Sequence, residues 1–179
     1  MQAGEAERIE AAAQSAQAIL LRYRTAGGWW AGELSTSALS TATAVMALLQ
    51  AVKSAEAGLP SAAGAARYGR QEVQRWRDLA NGGLQWLSAH QNSDGGFGDT
   101  VLSISNISTT MLVHAVFHFA AGLNCSDSAG RFQQVCAAAD QYVRDAGGVP
   151  ALLQRYGRDR TFSVPILTHC ALAGVVEWR

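Results

Sequence analysis

Apolar residues recur at helical spacing over most of the chain. Thr41, Val45, Leu48, Leu49 and Val52 stand three or four residues apart and form one stripe. Ile107 to Phe119 is apolar nearly all round, which predicts a helix buried on most sides. Glycine pairs and Ser/Thr-rich passages interrupt these runs. Glycine just past a helix takes the left-handed conformation without a Cβ clash. Serine and threonine before an apolar run are natural N-caps, because their hydroxyls accept from free backbone N–H groups. Together these signals predict six helices, about 4–24, 37–57, 68–90, 106–122, 130–146 and 163–176, with 58–67 as a loop.

The pattern repeats. The stretch from Gln17 superimposes without a gap on the stretch from Gln85 at an offset of 68. Gly27 and Gly28 then fall on Gly95 and Gly96, Leu34 on Leu102, Ser37 on Ser105, Thr41 on Thr109 and Val45 on Val113. A weaker third copy follows at an offset of 52, with Gly147 and Gly148 on Gly95 and Gly96, and Thr161 on Thr109. Each copy reads as helix, Gly-Gly turn, short polar passage, helix. Self-similarity of this kind points to stacked supersecondary units. The expectation is one segment over 1–179, all-α, built of three helical hairpins at about 4–57, 68–122 and 130–176.

Composition narrows the function classes. Fourteen basic residues balance fourteen acidic ones, so no net field draws the chain to nucleic acid or an anionic membrane. Cys125, Cys136 and Cys170 are odd in number and widely spaced, which argues against a disulfide framework or a structural zinc site. The first ten residues lack the basic-then-apolar layout of a secretory signal, and the expectation is a cytoplasmic chain. Only Ile107–Leu123 approaches membrane-span length, and its two histidines favour a buried inner helix.

The densest chemistry lies in "HQNSDGGFGDT", residues 90 to 100. A phosphate cradle is excluded: Gly96 and Gly98 begin a G-x-G, but Val101 fills the third glycine position and no strand precedes it. Asp94 and Asp99 lack EF-hand spacing, which leaves them turn or cap roles. His114 and His118 stand at i and i+4 on one helix face, but Ala115 replaces the catalytic Glu of a zinc protease motif and no third ligand is evident. Two histidines bonded within a packed helix is the expectation. His169 and Cys170 are adjacent, so their side chains should point apart.

The segment "GLQWLSAHQNSDGGFGD" resembles the QW repeat of squalene-hopene cyclases and related terpenoid cyclases, within the wider prenyltransferase/squalene oxidase repeat group. Trp86, Leu87, Gln91, Gly95 and Phe97 fit the family pattern, with Phe97 where Trp is commoner. "GGWWAGEL" and the stretch from Gly147 to Trp178 also resemble bacterial cyclases, onto the N-terminal portion of much longer proteins. Tyr23 and Val143 stand where the motif has Gln, so the first and third turns depart from it.

The resemblance implies an α/α toroid, here a partial barrel, and an isomerase activity of the intramolecular-transferase kind on a polyisoprenoid such as squalene. It implies no metal or cofactor, and peripheral association at the inner membrane face. In the motif's physics, Gln91 bonds exposed backbone at a neighbouring helix end, Phe97 packs over that amide, and the glycines permit the reversal. Asn92 should matter less than Gln91.

Trp29 aligns with Phe97 and should pack likewise. Trp30 and Glu33 are the candidates for a cavity or interface, since aromatic faces steady carbocations. A proton-initiated cyclase also needs an Asp-rich acid, and the seven aspartates here include no D-x-D. The chain therefore carries no catalytic residue of that kind. It should be inactive alone, requiring downstream sequence, and should self-associate through the apolar third hairpin. The alternative is a non-catalytic helical-repeat module that binds a protein or lipid partner.

Overall fold

The computed structural model describes residues 3–31, 35–58, 68–125, 127 and 129–177. Among the described residues there are seven helices and no strand. They are α1 (Ala3–Arg22), α2 (Ala38–Glu56), α3 (Arg70–Ala89), α4 (Ile107–Gly122), α5 (Arg131–Asp145), α6 (Gly148–Tyr156) and α7 (Ser163–Leu172). One isolated antiparallel bridge joins Arg24 and Trp30. The fold class is all-α. The chain divides into two compact units, residues 1–35 and 36–179, a boundary inside the first sequence copy. Most of the expected loop at 58–67 lies outside the described residues.

In the second unit α2, α4 and α7 pack in succession, while α3 packs on α5. The most extensive pairs are α2–α3 and α4–α5, which tie the two rows together. These pairs cut across the sequence copies. The expected second hairpin, α3 with α4, is not a packed pair, because residues 90–106 between them form a folded loop of their own instead of a tight reversal.

The centre is α4. Twelve of its sixteen residues are buried, as a nearly all-round apolar helix requires. Val45 and Leu49 of α2, Leu84 and Leu87 of α3, and Val135 and Ala139 of α5 close around it. Each fully buried large apolar side chain contributes about 1.5–3 kcal/mol. Gly83 lets α2 and α3 approach: a Cβ there would stand 2.3 Å from Val45 Cγ2.

Helix ends follow the local chemistry. Ser37 caps α2 by accepting from Ser40 N, and Asn106, rather than a serine or threonine, caps α4 by accepting from Thr109 N. α4 ends on Asn124 in the left-handed region, with Cys125 N donating to Ala120 O. α7 ends at Leu172, before the expected 176, because Gly174 takes φ 79° and Val175 N closes back on Cys170 O. α6 is an element the sequence pattern missed. Gly147 and Gly148, both at positive φ, open it instead of a loop, Pro150 sits harmlessly in its first turn, and Leu152 buries fully. By length and composition α2, not the stretch from Ile107, is the described helix able to cross a membrane, and six of its residues are buried here.

Candidate functional site

The loop between α3 and α4 is built as a clamp. Gln91, one residue beyond the α3 C-cap, donates through Nε2 to Gly95 O at 2.8 Å and to Val135 O of α5 at 3.2 Å. The second bond reaches the neighbouring helix, though within its body and not at an orphaned end. Asn92 N donates to Gly96 O and Gly95 N to Asn92 O, which closes the turn. Phe97 is fully buried; its N–H donates to Thr110 Oγ1 and its carbonyl accepts from Asn106 N. Leu87 is fully buried on α3, and half-buried Trp86 stacks on His90 at 4.2 Å between ring centroids.

The three glycines have separate reasons. Gly95 has φ 82°, and a Cβ there would come within 2.9 Å of Ala138 O on α5. Gly96 lies against Ser105 and Tyr142, and Gly98 against the backbone of Ser103, at distances no Cβ tolerates. The two acids are structural. Asp94 Oδ1 accepts from Gly96 N and Ser105 Oγ, while Asp99 Oδ1 accepts from Thr109 Oγ1 at 2.5 Å and from Asn106 Nδ2 at 2.9 Å. Those two donors, Thr109 first, hold the Asp99 carboxyl below the ordinary carboxylate range. Asn92, expected to matter less than Gln91, also makes two side-chain bonds: its Nδ2 donates to Ser103 O and Ser105 Oγ, on the far side of the loop.

The first copy is tied differently. Thr25 N and Oγ1 both donate to Trp29 O, Arg24 Nε donates to Gly28 O, and Trp30 Nε1 donates to Leu20 O. Arg24 also lies over the Trp30 ring, 5.7 Å from its centroid. Trp29 does not pack as Phe97 does. It is 62 % exposed, its ring folded over its own Gly27. Trp30 is half exposed, and Glu33 lies outside the described residues, so the expected Trp30–Glu33 pair has no described geometry.

A second feature is a cleft of about 550 Å³ between α4 and α5. His114 and His118 line it together with Cys136 and Asp140, which stand at i and i+4 on α5. His118 Nδ1 lies 3.1 Å from Ala173 O; a carbonyl only accepts, so Nδ1 is the donor. His114 makes no hydrogen bond among the described residues, and its Nε2 stands 3.8 Å from Asp140 Oδ1. Burial holds His114 below the ordinary histidine range, with Asp140 opposing. The expected bonding within a packed helix therefore holds for His118 and not for His114. Among the described residues no three metal-ligating side chains come together.

His169 and Cys170 are both buried. His169 Nε2 has no partner among the described residues, and burial lowers the pKa of its ring. Burial pushes the Cys170 thiol to about 12 and the Cys136 thiol to about 11, so neither is a nucleophilic thiolate near neutral pH. The described geometry clamps helices and encloses apolar space. No protein-family model, no curated protein and no solved structure matches the chain.

Proposed function

We propose that residues 36–177 form a wall segment of an α/α toroid of the terpenoid cyclase-like kind, whose apolar face shelters a polyisoprenoid such as squalene. The observation that carries this reading is the Gln91–Val135 bond. A glutamine in the loop after one helix of the α3–α5 row ties the next helix of that row, with Phe97 buried beside it. The α2–α4–α7 row then supplies the substrate-facing layer. A groove of about 400 Å³ on α2 and α7, lined by Met46, Ala47, Val164, Pro165 and Leu172 among others, has the apolar character such a hydrocarbon needs. No carboxylate lines it, and the chain holds no D-x-D. On this reading the chain supplies wall and not proton donor, works without metal, and leaves squalene unchanged by itself.

A polyprenyl probe carrying a photoreactive diazirine tests the reading. Labelling should concentrate on α2 and α7, around Met46 and Pro165, and excess squalene should compete it away. Labels confined to α3 and α5, or indifferent to squalene, would overturn it.

One observation favours a second reading, a non-catalytic module that binds a protein or a lipid surface. Leu102 and Ile104 are 95 % and 88 % exposed on a loop whose backbone is hydrogen-bonded in place. Rigidly presented apolar side chains mark contact surfaces. Vesicle binding lost in Leu102→Ser/Ile104→Ser, with labelling of the groove absent, would select this reading over the first.

A further inference from the structure

The α4–α5 cleft lies apart from the groove on α2 and α7, and its lining is chemically distinct. Phe117 and Phe132 meet edge to face in it, 5.5 Å between ring centroids, and give it an apolar wall. Its charged lining is one-sided: Asp127 and Asp140 contribute carboxylates, and no Lys or Arg lines it. Asp127 Oδ1 is engaged by Phe132 N. Asp140 is only half engaged. Arg144, 57 % exposed, binds Oδ2 from outside the lining, while Oδ1 faces His114 at 3.8 Å, beyond hydrogen-bond reach.

The histidines add an acceptor. Burial favours the uncharged form of His114, whose neutral ring keeps one nitrogen lone pair. His118 is tied through Nδ1 to Ala173 O. The cleft therefore offers a carboxylate oxygen and an imidazole lone pair above an aromatic wall. Its guest must bring hydrogen-bond donors, positive charge and an apolar body. A chelated metal ion does not fit, since no three ligating side chains converge among the described residues and the volume is many times an ion's.

We propose that the α4–α5 cleft is a binding site for a small lipophilic ammonium ion, held by Asp140 Oδ1 and packed against Phe117 and Phe132. The proposal is independent of the polyisoprenoid reading, because the cleft and the groove on α2 and α7 share no lining residue. An ammonium gains a charge-assisted hydrogen bond at Asp140 while its apolar body packs against the aromatic wall. A neutral molecule of the same shape gains only the apolar contact.

Titration calorimetry with 3-phenylpropylammonium and with 3-phenylpropanol decides the matter. The ammonium should bind the unsubstituted chain more tightly than the alcohol by about tenfold to a hundredfold, the value of one charged hydrogen bond. Asp140→Asn should erase that difference and leave the alcohol's affinity unchanged. Ala137→Leu, which fills the cleft without touching a charge, should abolish binding of both. Where Asp140→Asn lowers the melting temperature, the ammonium–alcohol difference on the unsubstituted chain decides alone. Equal affinities for the two probes, no binding of either, or ammonium binding that survives Ala137→Leu would overturn the proposal.

Discussion

The turns after α1 and after α3 share a sequence skeleton and do opposite things with it. Gly27-Gly28 matches Gly95-Gly96, and an aromatic follows each pair at the same distance. After α3, Gln91 reaches out to Val135 of α5 and Phe97 disappears into the core. After α1, Tyr23 stands in the glutamine's place, 64 % exposed, and the turn closes on itself through Arg24, Thr25 and Trp29. Trp29 lies in solvent where Phe97 lies in the core. The glycines thus specify only that the chain can reverse. Whether the reversal becomes a clamp depends on one amide long enough to reach a neighbouring helix.

The largest contrast should appear at the two aromatics. Phe97→Ala removes a fully buried ring and should cost about 3–5 kcal/mol. Trp29→Ala removes a larger ring, yet an exposed one, and should move stability by less than about 0.5 kcal/mol. Urea unfolding of both variants measures the difference. Comparable losses would mean that the two turns are equivalent after all.

The polar side of the clamp gives a smaller effect. Gln91→Ala leaves Gly95 O and part of the Val135 carbonyl without a donor, and should cost about 1–3 kcal/mol, toward the lower end because the site is half-buried. Asn92→Ala should cost a similar amount, since it frees Ser103 O and Ser105 Oγ. Tyr23→Ala should cost almost nothing. Thermal melts that rank Asn92 with Tyr23 instead of with Gln91 would restore the simpler motif, in which one glutamine does all the tying.

Much of this geometry was legible in the sequence, for a physical reason. The apolar stripe of α2 and the all-round apolarity of α4 are averages over many residues, so both helices fall within a residue or two of expectation. The bond from Gly96 N to Asp94 follows from local turn chemistry, whereas Ser105, Asn106 and Thr109 reach the two acids from seven to eleven residues away. What sequence could not supply is what a side chain meets across the fold. Asn92 looked incidental because its partners lie eleven and thirteen residues away. Trp29 looked packed because alignment carries identity and not burial. α6 was missed because a glycine pair reads as a stop, although Val149, Leu152, Leu153 and Tyr156 have helical spacing. The α4–α5 cleft was half visible as His114 and His118, but its other half, Cys136 and Asp140, is joined to them only by packing.

The smallest effect is a pH dependence that the second copy has and the first lacks. Thr109 Oγ1 and Asn106 Nδ2 donate to Asp99 and hold its carboxyl below the unfolded value of about 3.9. A depressed folded pKa means that the unfolded chain binds the proton more readily. The stabilisation is therefore complete above about pH 4 and is lost as pH falls through the folded value. In the first copy the matching positions hold Ala26 and Ala31, so that turn has no such carboxylate to protonate. Asp99→Asn should lower the melting temperature modestly at pH 7, because Asp99 is exposed and solvent screens its charge. Once pH falls below the folded value parent and variant should converge, since protonation gives the parent what the substitution gave the variant. A melting difference that stays constant from pH 7 to below that value would show that Asp99 acts through shape alone, and the contrast between the two turns would then rest entirely on Gln91 and Phe97.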